Sequence, residues 1–216
     1  MKQMIRPVIS QLFESGNSDP SLWIGFLLCL AAVLTAAVIV SLLTARYASK
    51  RFEGNQRKVT LCFIGAAFLA AVALMCFFGC AAVTVRGIIF TVIITLSSYE
   101  DIKTRECDDY LHVMIAVAAL IGTEPSAFPG MLLSGVLTGS MMLIPLILTK
   151  SKTGGADIKF AAACSFMLGV SRGITGLLIG MITALLFNIF RKNKKEGFPM
   201  IPYLAVGSMA AYFIQV

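Results

Sequence analysis

Eight apolar runs joined by short polar connections dominate this chain, at Leu22–Thr44, Val59–Val83, Gly87–Tyr99, Tyr110–Gly122, Met131–Thr149, Gly155–Val170, Gly173–Phe190 and Phe198–Val216. A helix that is apolar on every side has no stable place in water, and about 20 such residues cross a bilayer. The pattern predicts an all-α fold: a polytopic membrane helical bundle of about eight transmembrane helices, six forming a core and two added ahead of it. Composition agrees, with 58% of residues hydrophobic and 13% charged, against roughly half and a quarter in soluble domains. Residues 21–216 read as a single transmembrane domain. Ahead of it, Met4, Ile5, Val8, Ile9, Leu12 and Phe13 follow helical spacing, which predicts a short amphipathic segment over residues 1–20 lying on the membrane. No apolar core follows Lys2 and Arg6 closely, which argues against a cleavable signal peptide.

The net charge of +7 does not point to nucleic acid, because no platform of basic and aromatic residues accompanies it. Its distribution follows the runs instead. Arg46, Lys50, Arg51, Arg57 and Lys58 follow the first run, and Lys103 and Arg105 the third. Lys150, Lys152 and Lys159 come after the fifth, and Arg191, Lys192, Lys194 and Lys195 after the seventh, so 14 of the 18 basic residues fall on one side. The positive-inside rule then places these connections in the cytoplasm and both termini outside. The bilayer is the partner that composition implies.

Two of the runs are too short. The apolar part of the third, Gly87–Leu96, spans the roughly 30 Å hydrocarbon core only if its helix continues through Tyr99 and Asp101. The sixth spans only if it reaches back to Gly154, which brings Asp157 into its first turn. Both aspartates are thereby drawn to one depth at the cytoplasmic surface, where an ionisable group usually faces a bundle interior or a watery cavity. If their helices are neighbours, the carboxylates can meet and share one proton. The ionised member then takes a proton from water while the protonated member polarises a peptide carbonyl. That is aspartic peptide hydrolysis. Gly154, Gly155 and Ala156 leave room for a substrate strand beside Asp157. Each aspartate taken alone also reads as a helix cap or an interfacial charge; their shared side, depth and D-I-K context favour function.

Other residues are expected to be quieter. Five of the six cysteines (29, 62, 76, 80 and 164) lie in apolar runs and read as small hydrophobes. Cys76 and Cys80 share a helix face, but no histidine or acid stands near enough in sequence to build a metal site. Glu100 points about 100° from Asp101 and reads as peripheral. Asp108 and Asp109 read as solvated charges or a cap, and His112, the lone histidine, as interfacial. Gly135, Gly139, Gly176 and Gly180 suit close helix packing within the monomer, and the oligomeric state is left open.

At these residues the sequence resembles a known family, the type IV prepilin peptidases, a branch of the GxGD intramembrane aspartic proteases. Asp101, Lys103 and Arg105 in DIKTR match its D-x-[KR]-x-R pattern. Gly154, Asp157 and Lys159 in GGADIK match its G-x-G-D-x-K pattern, with Ala156 at the second glycine. Pro199 and Pro202 in FPMIPYLAVG look like the proline-rich stretch opening its final helix. The resemblance covers roughly residues 87–216, with the two aspartates about 55 residues apart. Glu106, Cys107, Asp108 and Asp109 stand where the family usually has an Ile-Pro-Asn-like step. The larger members carry paired C-x-x-C motifs after the first helix; here Ala45–Lys58 holds no cysteine.

The resemblance implies a compact aspartic endopeptidase without a methyltransferase or zinc domain and without cofactor or metal. It would remove the short basic leader of a prepilin-like protein at the cytoplasmic surface of the cell membrane, with Asp101 and Asp157 catalytic. Lys103, Arg105 and Lys159 would set depth and pair with headgroups or nearby carboxylates. Two alternatives use the same residues differently. A small proton-coupled transporter would need the aspartates near mid-membrane, and a noncatalytic pilus or secretion assembly factor would tolerate their loss.

Overall fold

The computed structural model describes residues 20–149, 154–190 and 198–214. The amphipathic segment expected over residues 1–20 and the basic residues Lys150, Lys152, Arg191, Lys192, Lys194 and Lys195 fall outside these, Pro20 excepted. Among the described residues the chain is all helical. The α-helices are α1 (Pro20–Arg51), α2 (Gln56–Phe78), α3 (Ala82–Thr104), α4 (Asp109–Ala119), α5 (Phe128–Thr149), α6 (Gly155–Leu168), α7 (Val170–Phe190) and α8 (Ile201–Phe213). A 3-10 turn at Pro125–Ala127 leads into α5. Among the described residues, five stretches are long and apolar enough to cross a membrane, drawn from α1, α2, α3, α5 with its 3-10 lead-in, and α7. Helices α4, α6 and α8 have 11, 14 and 13 residues, shorter than a full crossing at about 1.5 Å per residue. The protein is a polytopic helical membrane protein.

The chain divides between Val92 and Ile93 into two compact units. The first holds α1, α2 and the first half of α3. Helices α1 and α2 pack along each other, with Ala37, Ala67 and Ala71 buried at the seam and Val33, Leu34 and Ile88 around them. Alanines let the helices approach closely where lipid gives no hydrophobic drive to associate. Asn55 caps α2, its Oδ1 accepting from the N–H groups of Arg57 at 3.1 Å and Lys58 at 3.4 Å.

Helix α2 stops earlier than the apolar run suggests. Gly79, at φ +63°, turns the chain out and donates its N–H to Met75 O at 2.9 Å. Cys80 therefore leaves the helix and shares no face with Cys76. It is bonded to Cys29, 51 residues upstream, with Cα atoms 6.8 Å apart. This corrects the reading of both residues as small hydrophobes; the partner is supplied by the α1–α2 packing, which spacing alone does not reveal. Replacing either with Ser is expected to abolish the faster mobility of the oxidised protein on a non-reducing gel. It should also destabilise the first unit by up to about 4 kcal/mol, the chain-entropy value for a loop of this length. Equal mobility of wild type and variants under non-reducing conditions would disprove the bond.

In the second unit α6 is the hub, packed against α4, α5, α7 and α8. Its Phe160, Cys164, Met167 and Leu168 are buried. Helices α7 and α8 cross at glycines: a Cβ on Gly207 would strike the backbone of Gly176 and Gly180, and one on Gly180 would stand 2.9 Å from Leu204 Cα. The second small-xxx-small motif thus serves packing within the chain.

Candidate active site

Helix α3 continues through the polar stretch SSYEDIKT because its hydroxyls bond back to its own carbonyls. Ser97 Oγ donates to Ile93 O at 3.0 Å and Ser98 Oγ to Ile94 O at 2.6 Å. The helix ends at Arg105, whose φ of +61° puts a non-glycine residue in the left-handed position of a helix C-terminus. Its N–H reaches Asp101 O at 3.0 Å. Thr104 Oγ1 knits the turn, donating to Glu100 O at 2.9 Å and Glu106 O at 3.0 Å and accepting from Glu106 N–H at 3.3 Å. Lys103 is exposed and stands 5.9 Å above the Tyr99 ring.

Asp101 is buried, with 6% of its surface exposed. Its Oδ2 accepts the Ile201 N–H at 3.0 Å, and the Met200 N–H also bonds to the carboxylate. These are the first free donors of α8, where backbone N–H groups and the helix dipole suit an anion. Pro202 lies in that first turn and has no N–H to offer. Pro199 is half-buried just ahead of it.

Asp157 occupies the first turn of α6, outside the five candidate spans. Gly154 is the N-cap at φ −67° and Gly155 opens the helix. Neither requires a left-handed conformation. A Cβ on Gly155 would meet nothing within 4 Å, and one on Gly154 would stand 3.4 Å from Asp157 Oδ2. Space beside the carboxylate is therefore open on one side and just sufficient on the other. Ala156 and Asp157 are half-buried. Burial pushes the Asp157 carboxyl up to about 6; the charge of Asp101 adds to the rise and the Gly154 N–H opposes it. The two aspartates are thus within electrostatic reach of each other, each at the N-terminus of a helix.

Lys159 does not turn to Asp157. It is exposed, and its Nζ donates to both oxygens of Asp109, at 2.8 and 2.9 Å. His112 is buried, edge-on to Phe160 with ring centroids 6.2 Å apart.

Glu100 corrects an expectation. It is 3% exposed and accepts the Asp108 N–H on Oε2 at 3.3 Å. A helical wheel places it to one side of Asp101, but the turn after Arg105 folds back over that side. Cys107 is buried under the same turn. Burial first, then the Glu100 charge, push its thiol up to about 12, while a hydrogen bond with Ser97 opposes this, so it is a structural thiol and no nucleophile. Among the described residues, no group of three His, Cys, Asp or Glu side chains could hold a metal ion.

Residues 88–189 match the model of the type IV leader peptidase family. No curated protein and no solved structure matches the chain.

Proposed function

Because residues 88–189 form a domain of the type IV leader peptidase family, whose members are aspartic prepilin peptidases, we propose that this chain cleaves the short basic leader from a prepilin-like protein, using Asp101 and Asp157 as its catalytic pair. The observation that supports this reading is that Asp101, seated on the N–H groups of α8, lies within electrostatic reach of Asp157 in the first turn of α6. A shared proton lets one carboxylate activate water while the other donates to the scissile carbonyl. Lys103 and Arg105 mark the membrane surface, and Gly154, Gly155 and Ala156 admit the substrate backbone.

The site faces the cytoplasm in this proposal, with eight crossing segments and both termini outside. Charge distribution supports that orientation. So does the Cys29–Cys80 bond, which lies toward the outer end of α1 in this topology, where disulfides persist. The short helix α6 is buried among four neighbours, the setting in which a less than full-length helix is tolerated at membrane depth.

The decisive experiment is co-expression with a prepilin-like substrate. Leader removal should stop with Asp101→Asn and with Asp157→Asn while both variants still insert in the membrane. Normal processing by either one removes that residue from the mechanism. Proton-coupled transport without processing would favour a transporter instead.

The pH dependence follows from Asp157. Its proton is retained below about 6 and lost as pH rises through that value. With the singly protonated pair as the competent form, kcat/KM is expected to fall on the alkaline side with an apparent pKa near 6. Removing the neighbouring charge with Asp101→Asn should move the Asp157 titration downward, read by 13C NMR of aspartate-labelled protein. A flat rate profile between about pH 5 and 8 would contradict the shared-proton mechanism.

A further inference from the structure

Asp109 opens α4 and is fully exposed, yet it engages Lys159 with both carboxylate oxygens across 50 residues of sequence. Its neighbour Asp108 donates its N–H to the buried Glu100. Glu100 adjoins Asp101, and Lys159 lies two residues beyond Asp157. Two contacts thus join the surroundings of the two aspartates: Glu100, beside Asp101 on α3, to Asp108 across the turn, and Asp109 of α4 to Lys159 of α6, two residues from Asp157. Helices α4 and α6 also meet at His112, one turn on from Asp109, and Phe160, which follows Lys159 in the chain. His112 also faces the ion pair, with Nδ1 3.9 Å from Asp109 Oδ1, and Asp108, Tyr110 and Asp157 stand beside it in the chain.

An exposed ion pair adds little to stability. Its geometry is what matters, because a lysine held by two oxygens limits how the first turn of α6 can rotate or slide along α4. We propose that Asp109 is a positioning residue: by holding Lys159 it sets the orientation of the first turn of α6, and with it the separation of Asp157 from Asp101. This rests on the reading of Asp101 and Asp157 as the catalytic pair. A displacement of about 1 Å in a reacting group can cost on the order of 100-fold in rate, far more than the pair's worth to folding.

The test uses the full chain in phosphatidylethanolamine–phosphatidylglycerol vesicles, cleaving a prepilin-type protein with a short basic leader before an apolar helix. The variants are Asp109→Asn, Lys159→Met, the two combined, and the exchange Asp109→Lys with Lys159→Asp. Each single change should lower kcat by about 10- to 100-fold with KM within about twofold. The double variant should lose no more than the worse single one, and the exchange should recover most of the rate at an unchanged thermal midpoint. Wild-type kcat in Asp109→Asn, multiplicative losses in the double variant, or a loss confined to KM would each overturn the proposal. Asp101→Asn and Asp157→Asn run alongside: normal cleavage by either overturns the catalytic pair, whereas their inactivity with a silent Asp109 series overturns positioning alone.

Discussion

Asp101→Asn and Asp157→Asn are each expected to reduce leader cleavage by about 1,000-fold or more, within the range that a positioned acid or base supplies. The substitutions are close to isosteric, so the loss should be chemical. Asn at position 101 keeps an oxygen to accept the Ile201 N–H, which Asp101 now receives at 3.0 Å, and α8 keeps its start. Asn at position 157 removes a carboxyl whose protonation burial already favours, so folding loses little there as well. The double variant should be no slower than the worse single one, because a pair that shares a proton fails as a unit. Quantitative leader processing in vesicles, with thermal midpoints recorded for each variant, checks both parts. A drop of less than about tenfold for either residue would place it outside the proton transfers.

Gly207→Ala is expected to destabilise the second unit by about 1–3 kcal/mol, the usual cost of forcing atoms into a filled site, and Gly207→Leu by more. The atoms in the way are backbone atoms of Gly176 and Gly180, which cannot swing aside as a side chain would. Relief requires α8 to lift from α7. Met200 and Ile201, which open α8, would then draw their N–H groups away from Asp101. Activity should therefore fall together with stability, although Gly207 touches neither aspartate. Thermal unfolding in detergent and cleavage in vesicles are the two readouts. A Gly207→Ala protein that melts with the wild type would show that the helices do not meet at this point.

The membrane class, eight helical segments and the places of Asp101 and Asp157 near helix ends were legible in the chain because each rests on local pattern, although among the described residues five rather than eight segments are of spanning length. Apolar runs mark the helices, and the shortness of Gly87–Leu96 called for an extension through Asp101 that α3 makes, ending at Thr104. The same reasoning put Asp157 in the first turn of α6. Contacts between distant segments were not legible. Cys29 and Cys80 meet only because α1 and α2 pack along each other. Glu100 looked peripheral on a helical wheel, which knows nothing of a turn folding back from Arg105. Lys159 could be expected to find a carboxylate, but the choice of Asp109 is made by the packing of α4 on α6. The run opening at Gly155 matched α6 to within two residues, while α4 ends before Leu120, Ile121 and Gly122 and α8 begins after Phe198, Pro199 and Met200, because apolar residues outside these helices extend the pattern.

The bond from Ile201 to Asp101 joins residues 100 positions apart. During synthesis the ribosome must therefore deliver the start of α8 before the acid on α3 acquires its amide donors. Until then a nascent chain stalled ahead of Met200 holds both candidate acids without the scaffold that seats one of them. Competence, on this view, arrives late in translation, after the surrounding helices have already inserted.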